Sequence, residues 1–140
     1  MIDQLKQKHS NKDPILFILN GDPSYMGFIR FNGQVNAECK RYRLRDTITV
    51  KNTFDTHIIQ KPIELDITFF FPLPQRPSHS FWGKKSTDYC TDWPQISHAI
   101  KYIEELLKNI AYKDSIIISK VSAQKKYDQE PRTEFYFREL

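Results

Sequence analysis

Apolar residues recur every three or four positions between residues 94 and 110, which is the spacing of one buried helix stripe. The stripe consists of Ile96, Ala99, Ile100, Ile103, Leu106, Leu107 and Ile110. The opposite face is polar, with Ser97, Lys101, Glu104 and Lys108. The pattern therefore predicts an amphipathic helix from Pro94 to about Asn109, then a tight turn over 111–115 and a strand from Ile116.

Shorter apolar runs in the N-terminal half predict strands. The runs at 15–19 (ILFIL) and 26–31 (MGFIRF) flank an Asn-Gly-Asp-Pro turn, and this arrangement predicts a hairpin. Residues 63–71 alternate at first and then become continuously apolar. That change predicts a central strand that is covered on both faces towards its end.

The remaining segments complete the predicted fold. Runs at 116–123 and 133–137 predict two final strands, whereas 47–59 fits a helix or a strand. Residues 72–92 contain several prolines and predict a long loop. Together the elements indicate an α+β or mixed α/β fold, a small mixed β-sheet flanked by one long helix, with the connection order left open.

Length and composition indicate an ordinary globular protein. The chain has 140 residues, of which 39% are hydrophobic and 27% charged, and we expect a flexible tail over 1–13 and a single domain over 14–140. The chain has only four glycines, which disfavours a glycine-rich phosphate-binding loop. We expect no small-molecule substrate. The chain lacks an apolar run of about 18 residues and a secretory signal, so we expect no membrane span. Cys39 and Cys90 are expected to be free thiols in a reducing, cytoplasmic setting.

Two clusters combine cations with aromatic side chains, against a mild net charge of +4 that permits a polyanionic partner. The first is CKRYRLR at 39–45, in which Tyr42 is surrounded by Lys40, Arg41, Arg43 and Arg45. It is either a phosphate-binding and base-stacking surface or an exposed charged strand edge. The second is Phe81-Trp82 followed by Lys84 and Lys85. It is either a nucleic-acid clamp or a means of packing the loop, and we favour packing for Trp82.

The order of residues around the helix carries more specific information. It reads PQISHAIK at the start and NIAYKDSII after the end. This resembles the RusA family of Holliday junction resolvases, which reads K-P-D-I-D-N-L-x-K, a helix, N-G-x-x-x-D-D and a strand Q-I-x-x-x-x-x-K. The matching residues are Pro94, Lys101, Asn109, Asp114, Ile117 and Lys125. The resemblance is close from residue 62 onwards and weaker back to residue 29, where Phe31-Asn32-Gly33 resembles the turn before a basic family segment.

The resemblance implies a homodimer that cleaves branched DNA with Mg²⁺, but the implied metal ligands differ here. The family's metal-binding aspartates fall on Gln95, Ser97 and Ser115. Magnesium prefers charged carboxylates, and these side chains offer only neutral oxygens. We therefore expect a retained scaffold without a catalytic metal or any cofactor. Whether Asp92, Glu104 and Asp114 rebuild a metal site stays open.

The resemblance and its departures leave three possible functions. The first is a catalytically inactive homologue that binds branched or duplex DNA through the cations of both clusters and through Lys101. The second is a protein-interaction or structural module that has lost DNA binding and exposes an apolar patch. The third is an active Mg²⁺-dependent junction endonuclease with a rebuilt site. Lys101 either faces phosphate, as the resemblance implies, or pairs with Glu104 or Glu105 on its own helix.

Overall fold

The computed structural model describes residues 13–30, 37–54, 58–74 and 88–140. The strands are β1 (Ile15–Asn20), β2 (Ile63–Pro72), β3 (Ile118–Asp128) and β4 (Arg132–Glu139), and the helices are α1 (Ala37–Thr53) and α2 (Ile96–Leu107). Two 3₁₀ helices cover Pro23–Arg30 and Ser115–Ile117. The tail predicted for 1–13 lies, apart from Asp13, outside these ranges, and the single-domain assignment stays a prediction.

The four strands form one mixed sheet in the order β1-β4-β2-β3. Strand β4 is antiparallel to both of its neighbours, with Phe135 opposite Phe17 on one side and opposite Ile67 on the other. Strands β2 and β3 are parallel, and the chain between them contains α2. A parallel pair requires such a crossover connection. The predicted fold class is confirmed, although the described residues place two helices beside the sheet rather than one.

One face of the sheet forms the core. In β2 every second residue from Ile63 to Phe71 is buried, and Phe17 and Phe135 stack on the same face with ring centroids 4.9 Å apart. Helix α2 buries Ala99, Ile103, Leu106 and Leu107 as its stripe predicts, together with Tyr102. The stripe is wrong at Ile96, which is exposed, and Ile100 and Ile110 are half-buried. The other face is more open: Phe70 is only half-buried and lies beneath the Arg132 guanidinium, 4.0 Å from its ring centroid. The prediction that β2 is covered on both faces is therefore wrong at Phe70.

A buried carboxylate joins the helical elements. Asp46 on α1 is inaccessible to solvent, and its Oδ2 accepts hydrogen bonds from the hydroxyls of Tyr25 and Tyr102, each at 2.5 Å. Arg45 adds an ion pair to Oδ1 at 3.1 Å. A buried charge is tolerated only when it is paired and hydrogen-bonded in this way. The network fixes α1, α2 and the first 3₁₀ helix relative to one another.

Two predicted elements are wrong. Residues 26–31 do not pair with β1, because the chain after the turn enters the 3₁₀ helix Pro23–Arg30 and β1 pairs with β4 instead. Residues 39–45 lie inside α1, so the alternative of a charged strand edge is also wrong. The strand expected from Ile116 begins two residues later, after the short 3₁₀ turn. Within the described ranges, no helix is both long and apolar enough to cross a membrane.

Candidate nucleic-acid interface

The start of α2 is fixed by a lysine from the neighbouring strand. Lys125 on β3 donates from Nζ to the carbonyl oxygen of Pro94 at 2.6 Å and to that of Asp92. The same nitrogen lies 5.3 Å from the ring centroid of Phe71. Both carbonyls belong to the segment that leads into the helix, so the ammonium group ties this segment to the sheet.

A second set of contacts holds the same segment. The hydroxyl of Tyr127 donates to Asp92 Oδ2 at 3.1 Å, and the backbone N–H of Asp92 donates to Cys90 Sγ at 3.3 Å. Burial, together with hydrogen bonds to Cys90 and Asp92, raises the pKa of Tyr127 from 10.0 to about 12. Burial likewise raises the pKa of the Cys90 thiol. Cys90 is therefore a packed, protonated thiol, and Cys39 and Cys90 are both buried thiols rather than disulfide partners, as predicted.

The residues singled out by the motif lie at opposite ends of α2. Gln95 is the N-cap of α2 and Ser97 lies in its first turn, both exposed, and Lys101 follows Ser97 by one turn. Ser115 comes after the helix has ended and begins the second 3₁₀ turn. Helix α2 is about 18 Å long, and the residue of β3 that contacts its start is Lys125, ten residues after Ser115. A single chain therefore brings Ser97 and Lys101 together, but does not bring Ser115 to them.

Asp114 and Asp92 are engaged in local structure. Asp114 accepts a hydrogen bond from the backbone N–H of Ile116 at 3.0 Å and so caps the 3₁₀ turn. Asp92 is held by Tyr127, and Glu104 lies in the third turn of α2, between the two. Among the described residues there is no group of three histidine, cysteine, aspartate or glutamate side chains that could hold a metal ion. One chain thus does not assemble Asp92, Glu104 and Asp114 into a site.

The predicted basic cluster on α1 has two cations that are exposed and two that contact other residues of the chain. Lys40 and Arg41 are exposed. The guanidinium of Arg43 lies over the Tyr102 ring at 5.3 Å, and Arg45 pairs with Asp46, donates to the Asn20 carbonyl and lies 4.9 Å from the Tyr42 ring. Because these contacts occupy Arg43 and Arg45, the exposed part of the cluster is Lys40 and Arg41. Lys84 and Lys85, with Phe81 and Trp82, lie outside the described residues.

Sequence reasoning missed the roles of Lys125 and Asp46. Lys125 matches the family's strand lysine, but its carbonyl partners are distant in sequence and no local pattern indicates them. Asp46 offers a weak signal, since it is an acid that directly follows a run of basic residues. The region also contains Trp93, whose ring is 6.1 Å from that of His98, and the Nδ1 atom of His98 is buried without a hydrogen-bond partner among the described residues.

Comparison with known proteins shows which family this chain matches. A family model described as Endodeoxyribonuclease RusA matches residues 29–136, which include α1, α2 and most of the sheet. The chain is also 26% identical over 139 residues to the uncharacterized protein YqaN of Bacillus subtilis strain 168, an alignment that covers 91% of this chain and 98% of YqaN. The family match spans the Lys125 contacts, both ends of α2 and the Asp46–Tyr102 pair, and by it the chain belongs to the RusA endodeoxyribonuclease family.

Proposed function

We propose that this RusA-family protein binds branched or duplex DNA as a homodimer without cleaving it. The observation that carries the proposal is the chemistry of Gln95, Ser97 and Ser115, the positions where the family places its metal-binding aspartates. Mg²⁺ holds its place in proteins largely through charged oxygen ligands, and an amide and two hydroxyls supply no formal charge. These residues do not fit the ion, and we assign no step of a reaction to it.

DNA binding is supported by the cations that remain available. Lys101 is half-buried on α2, and the described residues form no ion pair with it. Lys40 and Arg41 are exposed on α1, and the chain has a net charge of +4. Lysine and arginine that neutralise phosphates release counterions, so the binding depends strongly on salt. With no carboxylate at positions 95 and 97, the first turns of α2 carry less repulsion towards a phosphate backbone.

The first experiment measures binding and cleavage together. The full chain is titrated onto a four-way junction and onto a matched duplex over a series of salt concentrations, with and without Mg²⁺ or Mn²⁺. We expect salt-dependent binding without cleavage in either metal. Metal-dependent nicking that disappears in Asp114→Asn would contradict the proposal and favour the rebuilt endonuclease. No binding at low salt would favour the protein-interaction module.

The second experiment tests the two sets of residues that the proposal uses. Lys101→Ala should weaken binding to all DNA sequences and reduce the salt slope by about one, whereas Lys108→Ala at the exposed end of the same helix should not. The double variant Gln95→Asp, Ser97→Asp places two carboxylates together at the start of α2 and should gain Mg²⁺ or Mn²⁺ affinity, measured by calorimetry. A parent protein that already binds the metal as well as the double variant would contradict the loss of the site.

The homodimer rests on the family and on symmetry. A symmetric dimer uses the same patch on both subunits, and a four-way junction offers matching symmetry. Light scattering at micromolar concentration should give twice the 16.7 kDa mass of one chain. A mass that stays at one chain across the concentration range used for DNA binding would refute this part of the proposal.

A further inference from the structure

The outer face of α1 has aliphatic side chains where a surface helix normally carries polar ones. Leu44 is 63% exposed and Ile48 is 51% exposed. They lie four residues apart and therefore on one stripe. The buried side of the helix is formed by Cys39, Asp46 and Val50. At 100° per residue, Ile48 lies almost opposite the centre of this buried side, so the aliphatic stripe faces solvent.

Cations surround this stripe. Lys40, Arg41 and Lys51 are exposed on the same half of the helix. Asp46 is the acidic residue among the α1 side chains that the structure describes, and it is buried and hydrogen-bonded to Tyr25 and Tyr102 rather than exposed. The outer face of α1, meaning Lys40, Arg41, Leu44, Ile48 and Lys51, is therefore apolar at its centre and positive at its margin.

Helix α2 provides an internal comparison. Its outer side chains include Lys101, Glu104 and Lys108, a mixture of both charge signs. A phosphate backbone would favour cations at the centre of a contact surface. An apolar centre with a charged rim is instead the anatomy of a protein–protein interface. The difference between the two helices thus favours a protein partner for α1.

We infer that the outer face of α1 docks an acidic amphipathic helix from another protein. The apolar side of such a helix would cover Leu44 and Ile48, and its flanking carboxylates would pair with Lys40, Arg41 and Lys51. A second copy of α1 does not fit, because two positive margins would face each other. The inference does not depend on DNA binding or on cleavage.

The test uses a defined probe. A fluorescein-labelled synthetic helix with leucine at i, i+3, i+4 and i+7 and glutamate on its flanks is titrated with the full chain, followed by anisotropy. A matched peptide with lysine in place of glutamate is the charge control. We expect binding of the acidic peptide that weakens as salt rises, no binding of the basic one, and chemical-shift changes confined to α1.

Variants locate the contact. Leu44→Ser combined with Ile48→Ser should weaken binding about tenfold or more, since both aliphatic contacts are lost. Ile116→Ser is the matched control, because Ile116 is 81% exposed and lies elsewhere. The double variant changes only exposed side chains, and circular dichroism checks its fold.

Three results would overturn the inference. Equal binding of the acidic peptide to the parent and to the double serine variant would place the contact elsewhere. A loss of DNA affinity in the double serine variant as large as its loss of peptide affinity would assign the aliphatic centre of the face to nucleic acid. A dimeric mass in the parent that becomes monomeric in the double variant would assign the face to a second copy of the chain.

Discussion

Replacing Lys125 with methionine removes the ammonium group and keeps most of the aliphatic length. The change deletes the hydrogen bonds to the carbonyl oxygens of Pro94 and Asp92 and leaves both acceptors to water. A hydrogen bond from a charged group contributes about 1.5–3 kcal/mol, and Lys125 is only half-buried, so part of this is recovered by hydration. We expect a loss of about 3 kcal/mol, equivalent to a fall in Tm of roughly 10 °C for a domain of this size.

The effect on binding depends on where these carbonyls lie. They precede Gln95, the first residue before α2, so loosening them should disturb the start of the helix and weaken DNA binding. A lysine that only positions the helix does not contact phosphate. Lys125→Met should therefore lower DNA affinity without lowering the salt slope, whereas Lys101→Ala should lower both.

The assay includes a reporter that does not require DNA. In a Trp82→Phe background the remaining tryptophan is Trp93, and its emission should shift to longer wavelength in Lys125→Met. Lys126→Met is the control: Lys126 is the next residue, and its ammonium lies 5.5 Å from the Tyr89 ring rather than on the α2 segment. Unchanged Trp93 emission and unchanged Tm in Lys125→Met would refute the positioning role. A salt slope reduced by one with Trp93 unchanged would make Lys125 a phosphate contact instead.

Three other predictions concern stability. Tyr102→Phe removes one of the hydroxyls bound to the buried Asp46 carboxylate and should cost about 1–3 kcal/mol, measured from the urea midpoint. Burial is the first cause of the raised pKa of Tyr127, so this residue contributes fully to the free energy of unfolding below pH 10, and the contribution is lost as pH rises towards 12. Tyr127→Phe should therefore make the free energy of unfolding, followed by fluorescence, less dependent on pH in this range. A hydrogen bond from Lys120 lowers the pKa of Glu64. Its contribution to the free energy of unfolding is therefore present above the usual pKa of 4.5 and is lost as pH falls through the lower pKa of the folded state. Glu64→Gln should make Tm less sensitive to acid, and an unchanged dependence of Tm on acid pH would contradict this.

Helix α2 could be predicted from sequence because its buried side is apolar apart from the Tyr102 hydroxyl, whereas α1 could not. The buried side of α1 includes Asp46, whose burial is made possible by Tyr25 and Tyr102 from distant parts of the chain. Its outer side has the aliphatic residues Leu44 and Ile48. The alternation of apolar and polar residues that identifies an amphipathic helix is therefore weak on both sides of α1. The β-branched residues at 47–50 add strand propensity that the fold overrides.

The turn after β1 could also be predicted, but the path of the chain beyond it could not. Gly21 has a φ of +104°, and Asp22 accepts a hydrogen bond from the backbone N–H of Ser24 at 2.9 Å, as a turn signal implies. Packing decides the next element: Gly27 lies so close to Pro94 and Trp93 that a Cβ would collide with them. Such long-range contacts are not visible in a local pattern, and the same holds for the separation of Gln95 and Ser97 from Ser115.

The central place of β4 in the sheet has a consequence for how the chain reaches its native state. Strand β1 pairs with β4, with Ile15 opposite Phe137. The first strand in the sequence therefore cannot form its interstrand hydrogen bonds until the last strand is present. Closing such a long loop is slow, and folding rates fall as contacts become less local. During synthesis β1 would expose Phe17 and Leu19 until residues beyond 130 have left the ribosome. A chain interrupted before β4 should therefore be a substrate for chaperones and proteases rather than a smaller folded protein.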